Sequence, residues 1–549
     1  MSNRYETMGS MMRAFRAASR WSRTSTTSTA LLKVLVSPAK VGSPTTVART
    51  RPSLSPMTKD KSKKKHKKSK KSGRPKVKER EAVKKYTGTF GGTEVSYTAK
   101  AGTQVFEVND KEVAFFYFAY TQDDADAAER PVLFCFNGGP GSSTVWLHLG
   151  LFGPKRMQFD DDGFKLGMQG TLVENEHSIL DVADVVCIDA IGTGFSSTVD
   201  KKDEKEFHHF KHDVDSFSHF IVQYLNRNGR WASPKYLAGE SYGTLRGAAI
   251  ARGLFADHSV EFNGIVLVSS ILNYQTSAID KRSWMVHPGN DLPFALYLPT
   301  YAATAHYHGQ LSEENQAKPL RQFLDQVEAF ALGEYWTALA QGDRLDPAAQ
   351  SEIAAKLSEF TGIGAEYLDH YNIRLHILRF CKELLRDQKR TVGRIDSRYV
   401  GIDRVSAGDN IEADPSLDAT GGVAASAINQ YLRDEIGFKS KENYDLFNLD
   451  VINRWNYEDF KNQYVDTSEN MREVMSRSRG TKVFVANGYY DLATPHFATE
   501  YTFAHMGLDP EVRDNVRMEY YEAGHMMYVH QESLEALAGH LREFVTESS

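Results

Sequence analysis

A serine stands between two glycines in "GESYG", Gly239 to Gly243. The pattern G-x-S-x-G is typical of a sharp strand-to-helix turn that exposes a nucleophilic serine. The flanking residues suit that turn, because "KYLA" predicts a strand and "YGTLRGAAIARGL" predicts a helix. Ser241 is therefore the predicted nucleophile. The N–H of Tyr242, at the start of the helix, is a predicted oxyanion donor.

A serine nucleophile needs a base, and the base needs a group that orients it. Asp491 follows the apolar run "TKVFVANG", and His525 follows the next strand-like run, "VRMEYYEAG". Serine, acid and histidine in this chain order are typical of hydrolases that use such a turn. We predict a triad of Ser241, Asp491 and His525, which performs acyl transfer.

A glycine-rich loop, "FNGGPGSS", follows an earlier apolar strand. Successive glycines let backbone N–H groups approach a substrate oxyanion, and Gly139 is the predicted second donor. Neither phosphate-binding glycine pattern fits this loop. No cluster of His, Asp or Glu has metal-ligand spacing, so the sequence predicts neither a metal nor a cofactor.

The elements that must position these residues alternate between strands and helices. From about Tyr86, "TEVSYTA", "QVFEV" and "VAFFYFAYT" predict antiparallel strands, whereas "RPVLFCFN" and "ADVVCIDAIG" are continuous apolar runs typical of strands buried on both faces. Helical stretches separate the later strands. This pattern predicts an α/β fold with a mainly parallel central sheet.

The alternation of strands and helices stops after about Tyr274, where some 200 residues have a helical pattern, and it resumes near residue 480. We therefore predict a catalytic domain over 87–274 and 480–549, with a helical lid inserted at 275–479. Residues 1–86 form a separate basic arm, predicted to be disordered.

The net charge of −5 hides this arm, which carries 24 Lys and Arg against 4 acidic residues. Its lysine run is interpreted as a solubilising tail, with contact to nucleic acid or an anionic membrane as the alternative. The first 60 residues have the composition of an organellar transit peptide, although a true start at Met57 would account for them equally. Lacking a convincing secretory signal or an apolar run long enough to span a membrane, the chain is expected to be soluble and cytoplasmic.

Cysteines are few: Cys135, Cys187 and Cys381 show no C-x-x-C pair, and we predict no disulfide. Cys135 and Cys187 lie in apolar runs and are interpreted as buried small hydrophobes. The sequence leaves the oligomeric state open, a homodimer included.

Five motifs in order, "FNGGPGSS", "DAIGTGFS", "GESYG", "NGYYD" and "GHM", resemble the serine carboxypeptidases, the carboxypeptidase C and cathepsin A-like α/β-hydrolases. The resemblance runs from about residue 88 to the end. "LPTYAATAHYHG" and "DSRYVGIDR" resemble the bacterial-type branch. The resemblance implies an α/β-hydrolase fold, the same triad, and a peptide substrate with a free C-terminus.

The resemblance also implies that Asn137, Gly138 and Glu240 bind the terminal carboxylate, for which Glu240 must be protonated. In the family a second Glu usually keeps that proton in place. Here the equivalent position holds Leu151, so we expect burial, or another residue, to raise the pKa of Glu240. Two further departures are Ser142, where the family has Cys, and Thr244, where it more often has Gly.

The sequence thus predicts a serine-type carboxypeptidase that releases C-terminal amino acids through an acyl-enzyme on Ser241. The alternative is an esterase or acyltransferase that uses the same triad. A third interpretation, from a different class, is a basic-tailed binding protein in which the hydrolase body is secondary.

Overall fold

The structure of the chain is a computed structural model that describes residues 79–277 and 289–549. The predicted transit segment and the lysine run lie outside the described residues, as does most of the basic arm.

A twisted mixed sheet forms the centre of the fold. Its strand order is β1-β2-β3-β7-β4-β9-β10-β13-β14, with β8 paired to β3. From β7 onward every pairing along this order is parallel, whereas the pairings among β1, β2, β3 and β7 are antiparallel. The strands are β1 Glu81–Phe90, β2 Thr93–Val108, β3 Lys111–Gln122, β4 Val132–Phe136, β5 Lys155–Met157, β6 Leu172–Glu174, β7 Asp184–Ile188, β8 Ser197–Thr198, β9 Lys235–Ser241, β10 Gly264–Ser270, β11 Thr391–Val392, β12 Val400–Gly401, β13 Lys482–Gly488 and β14 Val516–Tyr521.

The apolar runs explain the parallel centre of this sheet. Every residue of β4, "VLFCF", and of β7, "DVVCI", is buried, since helices cover both faces. Cys135 and Cys187 lie opposite each other on these two strands, and both thiols are buried and free, as is that of Cys381. The predicted α/β class with a mainly parallel sheet is confirmed.

Two features of the antiparallel edge differ from the sequence prediction. "TEVSYTA" and "QVFEV" belong to one 16-residue strand, β2, because β3 pairs with it along its whole second half and beyond. The boundary predicted at residue 86 is also too late. Strand β1 begins at Glu81, which pairs with Gly102 of β2.

Helices follow the strands and also fill the middle of the chain. They are α1 Val145–Leu147, α2 Phe210–Asn228, α3 Tyr242–His258, α4 Leu292–Tyr307, α5 Glu313–Gln316, α6 Leu320–Phe330, α7 Trp336–Gln341, α8 Pro347–Thr361, α9 Ala365–His370, α10 Ile377–Glu383, α11 Pro415–Gln430, α12 Leu449–Arg454, α13 Ser468–Arg477, α14 His496–His505, α15 Pro510–Arg513 and α16 Gln531–Ser548. A π-helical turn, His148–Phe152, continues α1. Among the described helices, none is long and apolar enough to cross a membrane.

The first part of the middle of the chain, α4 to β11, contributes most of an apolar core of its own, whereas the buried residues of α11 and α12 belong to the cores that contain the sheet residues. Residues just after β13, such as Leu492 and Phe497, complete that core, so the predicted lid is packed against the loop that carries Asp491. A later part of the same segment lies beside the glycine loop, where Phe447 is bridged to Ser142. The division into a lid at 275–479 and a two-part catalytic domain stays a prediction.

Candidate active site

Ser241 lies at the turn that the sequence predicts, as the last residue of β9 and the residue before α3. Its backbone has φ 59° and ψ −130°, a combination that costs a non-glycine residue free energy and is typical of the nucleophile turn. Thr244 supports the turn, because its Oγ1 donates to the carbonyl of Ser241 at 2.7 Å and accepts the N–H of Ile271 at 2.9 Å. Thr244, where the family more often has Gly, therefore adds two hydrogen bonds that stabilise the turn.

Asp491 and His525 form the predicted acid–base pair. His525 Nδ1 lies 2.7 Å from Asp491 Oδ2, and both side chains are buried. The other carboxylate oxygen accepts the N–H groups of Ala493 and Thr494, at 2.8 and 3.0 Å. Burial acts to lower the pKa of His525, but the charge and hydrogen bond of Asp491 raise it above its ordinary value. The imidazole is thereby held with its Nδ1 toward the acid.

The order of the strands brings this pair to the serine. Ser241 pairs with Ser270 on β10, and the neighbouring Ser269 donates its hydroxyl to the carbonyl of His525 at 2.7 Å. Since β9, β10, β13 and β14 are parallel neighbours, the loops after them meet at one edge of the sheet. The structure thus brings all three predicted triad residues to that edge.

The motif "DSRYVGIDR" holds the histidine loop in place. The N–H of His525 donates to the carbonyl of Ile395 at 2.8 Å, and that of Gly524 donates to Asp396 Oδ2 at 3.2 Å. Asp396 is itself paired with Arg398 at 2.7 Å in a buried position. The motif therefore positions the base from outside the strands that carry the triad.

"LPTYAATAHYHG" supports the acid loop through the same motif. It forms most of α4, from which Thr304 hydrogen-bonds to the hydroxyl of Ser397 at 2.6 Å. Ser397 in turn contacts the carbonyl of Tyr490 at 3.0 Å, one residue before Asp491. Both motifs of the predicted lid segment therefore contribute to the geometry of the triad.

The glycine loop passes directly against the serine turn. A Cβ at Gly138 would lie 2.5 Å from the N of Tyr242, so only glycine permits this approach. Gly139 has φ +104°, which also favours glycine. The N–H of Tyr242, the first residue of α3, has no acceptor within the helix. The two predicted oxyanion donors are thus on backbone segments in contact.

Glu240 is buried beside the triad. Its Oε2 accepts the hydroxyl of Tyr528 at 2.7 Å, and the Asn137 side chain acts on the same carboxyl. Burial raises its pKa, the hydrogen bonds and the positive charge of a protonated His525 lower it, and the net result is a pKa of about 7. Asn137 is fixed by its Oδ1, which accepts the N–H of Leu147 at 3.0 Å. Asn137, Gly138 and Glu240 are therefore brought together as the resemblance implies.

Two residues that the sequence reasoning missed complete the site. Tyr528 is the contact of Glu240 just described. Arg246, on α3, is fully buried and donates to the carbonyl of Asn137 at 2.6 Å and to Asp213 at 2.7 Å. No local pattern identifies either residue, although an arginine within an otherwise apolar helix stretch could have been suspected of a buried partner.

Among the described residues, Glu328, His496 and Glu500 form the group whose side chains come near enough to hold a metal ion. Arg321 already pairs with Oε1 of Glu328, the oxygen that faces His496 at 3.6 Å. Because this arginine on the same helix already occupies that oxygen, we interpret Glu328 as the partner of Arg321 rather than as a metal ligand.

Comparison with known proteins agrees with this geometry. The family model described as serine carboxypeptidase matches residues 91–544. Serine carboxypeptidase-like 40 of Arabidopsis thaliana is 27% identical over 174 residues, 31% of this chain and 33% of that protein. Pheromone-processing carboxypeptidase KEX1 of Komagataella phaffii is 31% identical over 137 residues, 25% of this chain and 19% of that protein. The matched segments thus span about a third or less of these relatives.

The solved structure of the prohormone-processing carboxypeptidase from Saccharomyces cerevisiae superposes with a TM-score of 0.52 at 15% identity, covering 82% of this chain and 92% of that one. This likeness shows a shared α/β-hydrolase fold. With the family model matched over most of its length, the chain belongs to the serine carboxypeptidase family.

Proposed function

We propose that the protein is a carboxypeptidase that releases C-terminal amino acids from peptides through an acyl-enzyme on Ser241. The observation that carries this proposal is the buried Glu240 carboxyl, one residue before the nucleophile and in contact with the Asn137 loop. A protonated carboxyl and an amide can both donate to a terminal carboxylate. A substrate held there places its last peptide bond near Ser241.

The chemistry follows from the pair of His525 and Asp491. His525 Nε2 accepts the Ser241 proton while Oγ bonds to the scissile carbonyl carbon, and Asp491 stabilises the imidazolium that forms. The N–H groups of Gly139 and Tyr242 stabilise the oxyanion. His525 then protonates the leaving amine as the C–N bond breaks, and the free C-terminal amino acid departs. In the second half His525 takes a proton from water while the water oxygen bonds to the ester carbon, and it returns that proton to Ser241 Oγ as the acyl–enzyme bond breaks.

A blocked dipeptide such as N-acyl-Phe-Leu tests the reaction. Wild-type protein should release leucine, and Ser241→Ala should reduce kcat by about 10⁶-fold. Ser351→Ala, an exposed serine on α8, serves as the control and should leave the rate unchanged. Equal rates for wild type and Ser241→Ala would refute the assigned nucleophile.

The carboxylate contact is tested separately with the C-terminal amide of the same dipeptide. Wild type should prefer the free acid, and Glu240→Gln should lose most of that preference while it still cleaves the amide. Cleavage of acid and amide at the same rate by wild type would contradict the carboxypeptidase specificity but not the triad. A preference for ester over peptide substrates would instead favour the esterase alternative.

A further inference from the structure

Leu151 occupies the position at which the family usually has the second Glu. It lies in the π-helical turn 148–152 and is fully buried, and its aliphatic side chain has no proton to share with Glu240. The ring of Tyr528 packs against this turn, since a Cβ at Gly150 would lie 2.4 Å from its Cδ2 and Cε2 atoms. The phenol therefore uses the space that a side chain at Gly150 would take.

From that place the phenol reaches the acid directly. Tyr528 Oη donates to Glu240 Oε2 at 2.7 Å, and both residues are almost fully buried, with 2% and 3% of their surface exposed. Burial and the nearby Glu240 charge raise the pKa of Tyr528 well above its ordinary value. The phenol therefore keeps its proton and donates it in a hydrogen bond to Glu240.

We propose that Tyr528 is the positioning residue that replaces the partner acid: its hydrogen bond to Oε2 orients the Glu240 carboxyl, whose proton then donates to the substrate's terminal carboxylate. This inference rests on the proposed carboxylate contact of Glu240. It differs chemically from an acid pair, because two carboxyls share a proton whereas a phenol contributes none of its own to the exchange.

The hydrogen bond from Tyr528 shifts the pKa of Glu240 downward. A hydrogen bond donated to a carboxylate favours the ionised form, so Tyr528 lowers the pKa of Glu240 below the value that burial alone would give. The charged groups that also act on Glu240 are His525, which lowers its pKa, and Asp491, which raises it, and Tyr528→Phe alters neither. Removing the hydroxyl should therefore raise the pH at which Glu240 loses its proton. Binding of a free C-terminus should then persist to higher pH, the opposite of what a damaged site would show.

Tyr528→Phe tests this with the free-acid dipeptide over a range of pH. We expect the rise of KM on the alkaline side to move upward by about one pH unit, the typical effect of one hydrogen bond to a charged group, with kcat nearly unchanged. The amide substrate should show no such shift. Tyr521→Phe removes another buried phenol, bonded to His540 rather than Glu240, and should behave as wild type.

An unshifted KM profile, or equal losses on acid and amide substrates, would overturn the proposal. Infrared titration follows the protonated Glu240 carboxyl, identified as the band missing in Glu240→Gln, in wild type and in Tyr528→Phe. A titration midpoint about one pH unit higher in Tyr528→Phe supports the role of the phenol, and an unchanged midpoint refutes it. This readout also separates the two proposals, since it reports on Glu240 even where acid and amide substrates are cleaved alike.

Discussion

Arg246 ties the helix that follows the nucleophile to two other elements. Its Nε donates to Asp213 on α2 at 2.7 Å, and its Nη1 donates to the carbonyl of Asn137 in the glycine loop at 2.6 Å. The guanidinium also lies over the rings of Phe217 and Tyr242, 4.6 and 5.0 Å from their centroids. None of its surface is exposed, so solvent cannot replace these contacts.

Arg246→Met should therefore cost about 3–5 kcal/mol in the free energy of unfolding, because it leaves the Asp213 carboxylate buried without its counter-ion. Adding Asp213→Leu should recover most of that loss, since an apolar pair of similar volume is often as stable as a buried ion pair. Burial raises the pKa of Asp213 and Arg246 lowers it. In Arg246→Met the acid can become neutral by binding a proton, so the loss should be smaller at acidic pH than at alkaline pH.

Arg246→Lys separates stability from activity. A lysine keeps a positive charge beside Asp213. Its single ammonium, however, lacks the separate N–H groups by which the planar guanidinium bonds to Asp213 and to the Asn137 carbonyl at the same time. We expect a folded protein with kcat/KM lowered about tenfold, the effect of about 1.4 kcal/mol in the transition state.

The assay is equilibrium unfolding in urea for wild type, both single variants and the double variant. Arg252→Met is the matched control, because Arg252 lies on the same helix but forms an exposed pair with Glu473, and it should change stability by less than about 0.5 kcal/mol. Additive losses in the double variant would show that the pair is not coupled and would refute this reasoning.

Glu240→Gln should be more stable relative to wild type at about pH 7.5 than at about pH 4.5, by about 3 kcal/mol. The pKa of the Glu240 carboxyl rises from 4.5 to about 7 on folding, so this group stabilises the wild-type protein at low pH, and that stabilisation is lost as the pH rises through this interval. Urea unfolding of both proteins at the two pH values measures the difference. Thr494→Val removes the hydroxyl that donates to Asp491 Oδ2 at 2.7 Å and should lower kcat about tenfold without changing KM, as steady-state kinetics can show. Gly150→Ala places a methyl group 2.4 Å from the Tyr528 ring, and we expect a lower Tm and a larger rise in KM for the free-acid dipeptide than for its amide.

The sequence by itself determined the candidate reacting groups. Ser241 could be predicted because the nucleophile turn is local: a strand, a glycine-flanked serine and a helix lie within one short stretch. Asp491 and His525 could be predicted because each follows a predicted strand, and parallel strands bring such positions to one edge of the sheet. The sequence also predicts that Leu151 stands where the family usually has Glu, because that comparison depends only on the spacing from the glycine loop.

The tertiary structure alone decided what surrounds these groups. Tyr528 meets Glu240 across 288 residues, and Arg246 meets Asn137 across 109. Such contacts depend on which faces of separate elements pack together and on which way each side chain points, and neither has a local signature. The sequence identifies an acid beside the nucleophile that has lost its usual partner, and the packing of the final loop against the π-helical turn supplies a phenol in its place.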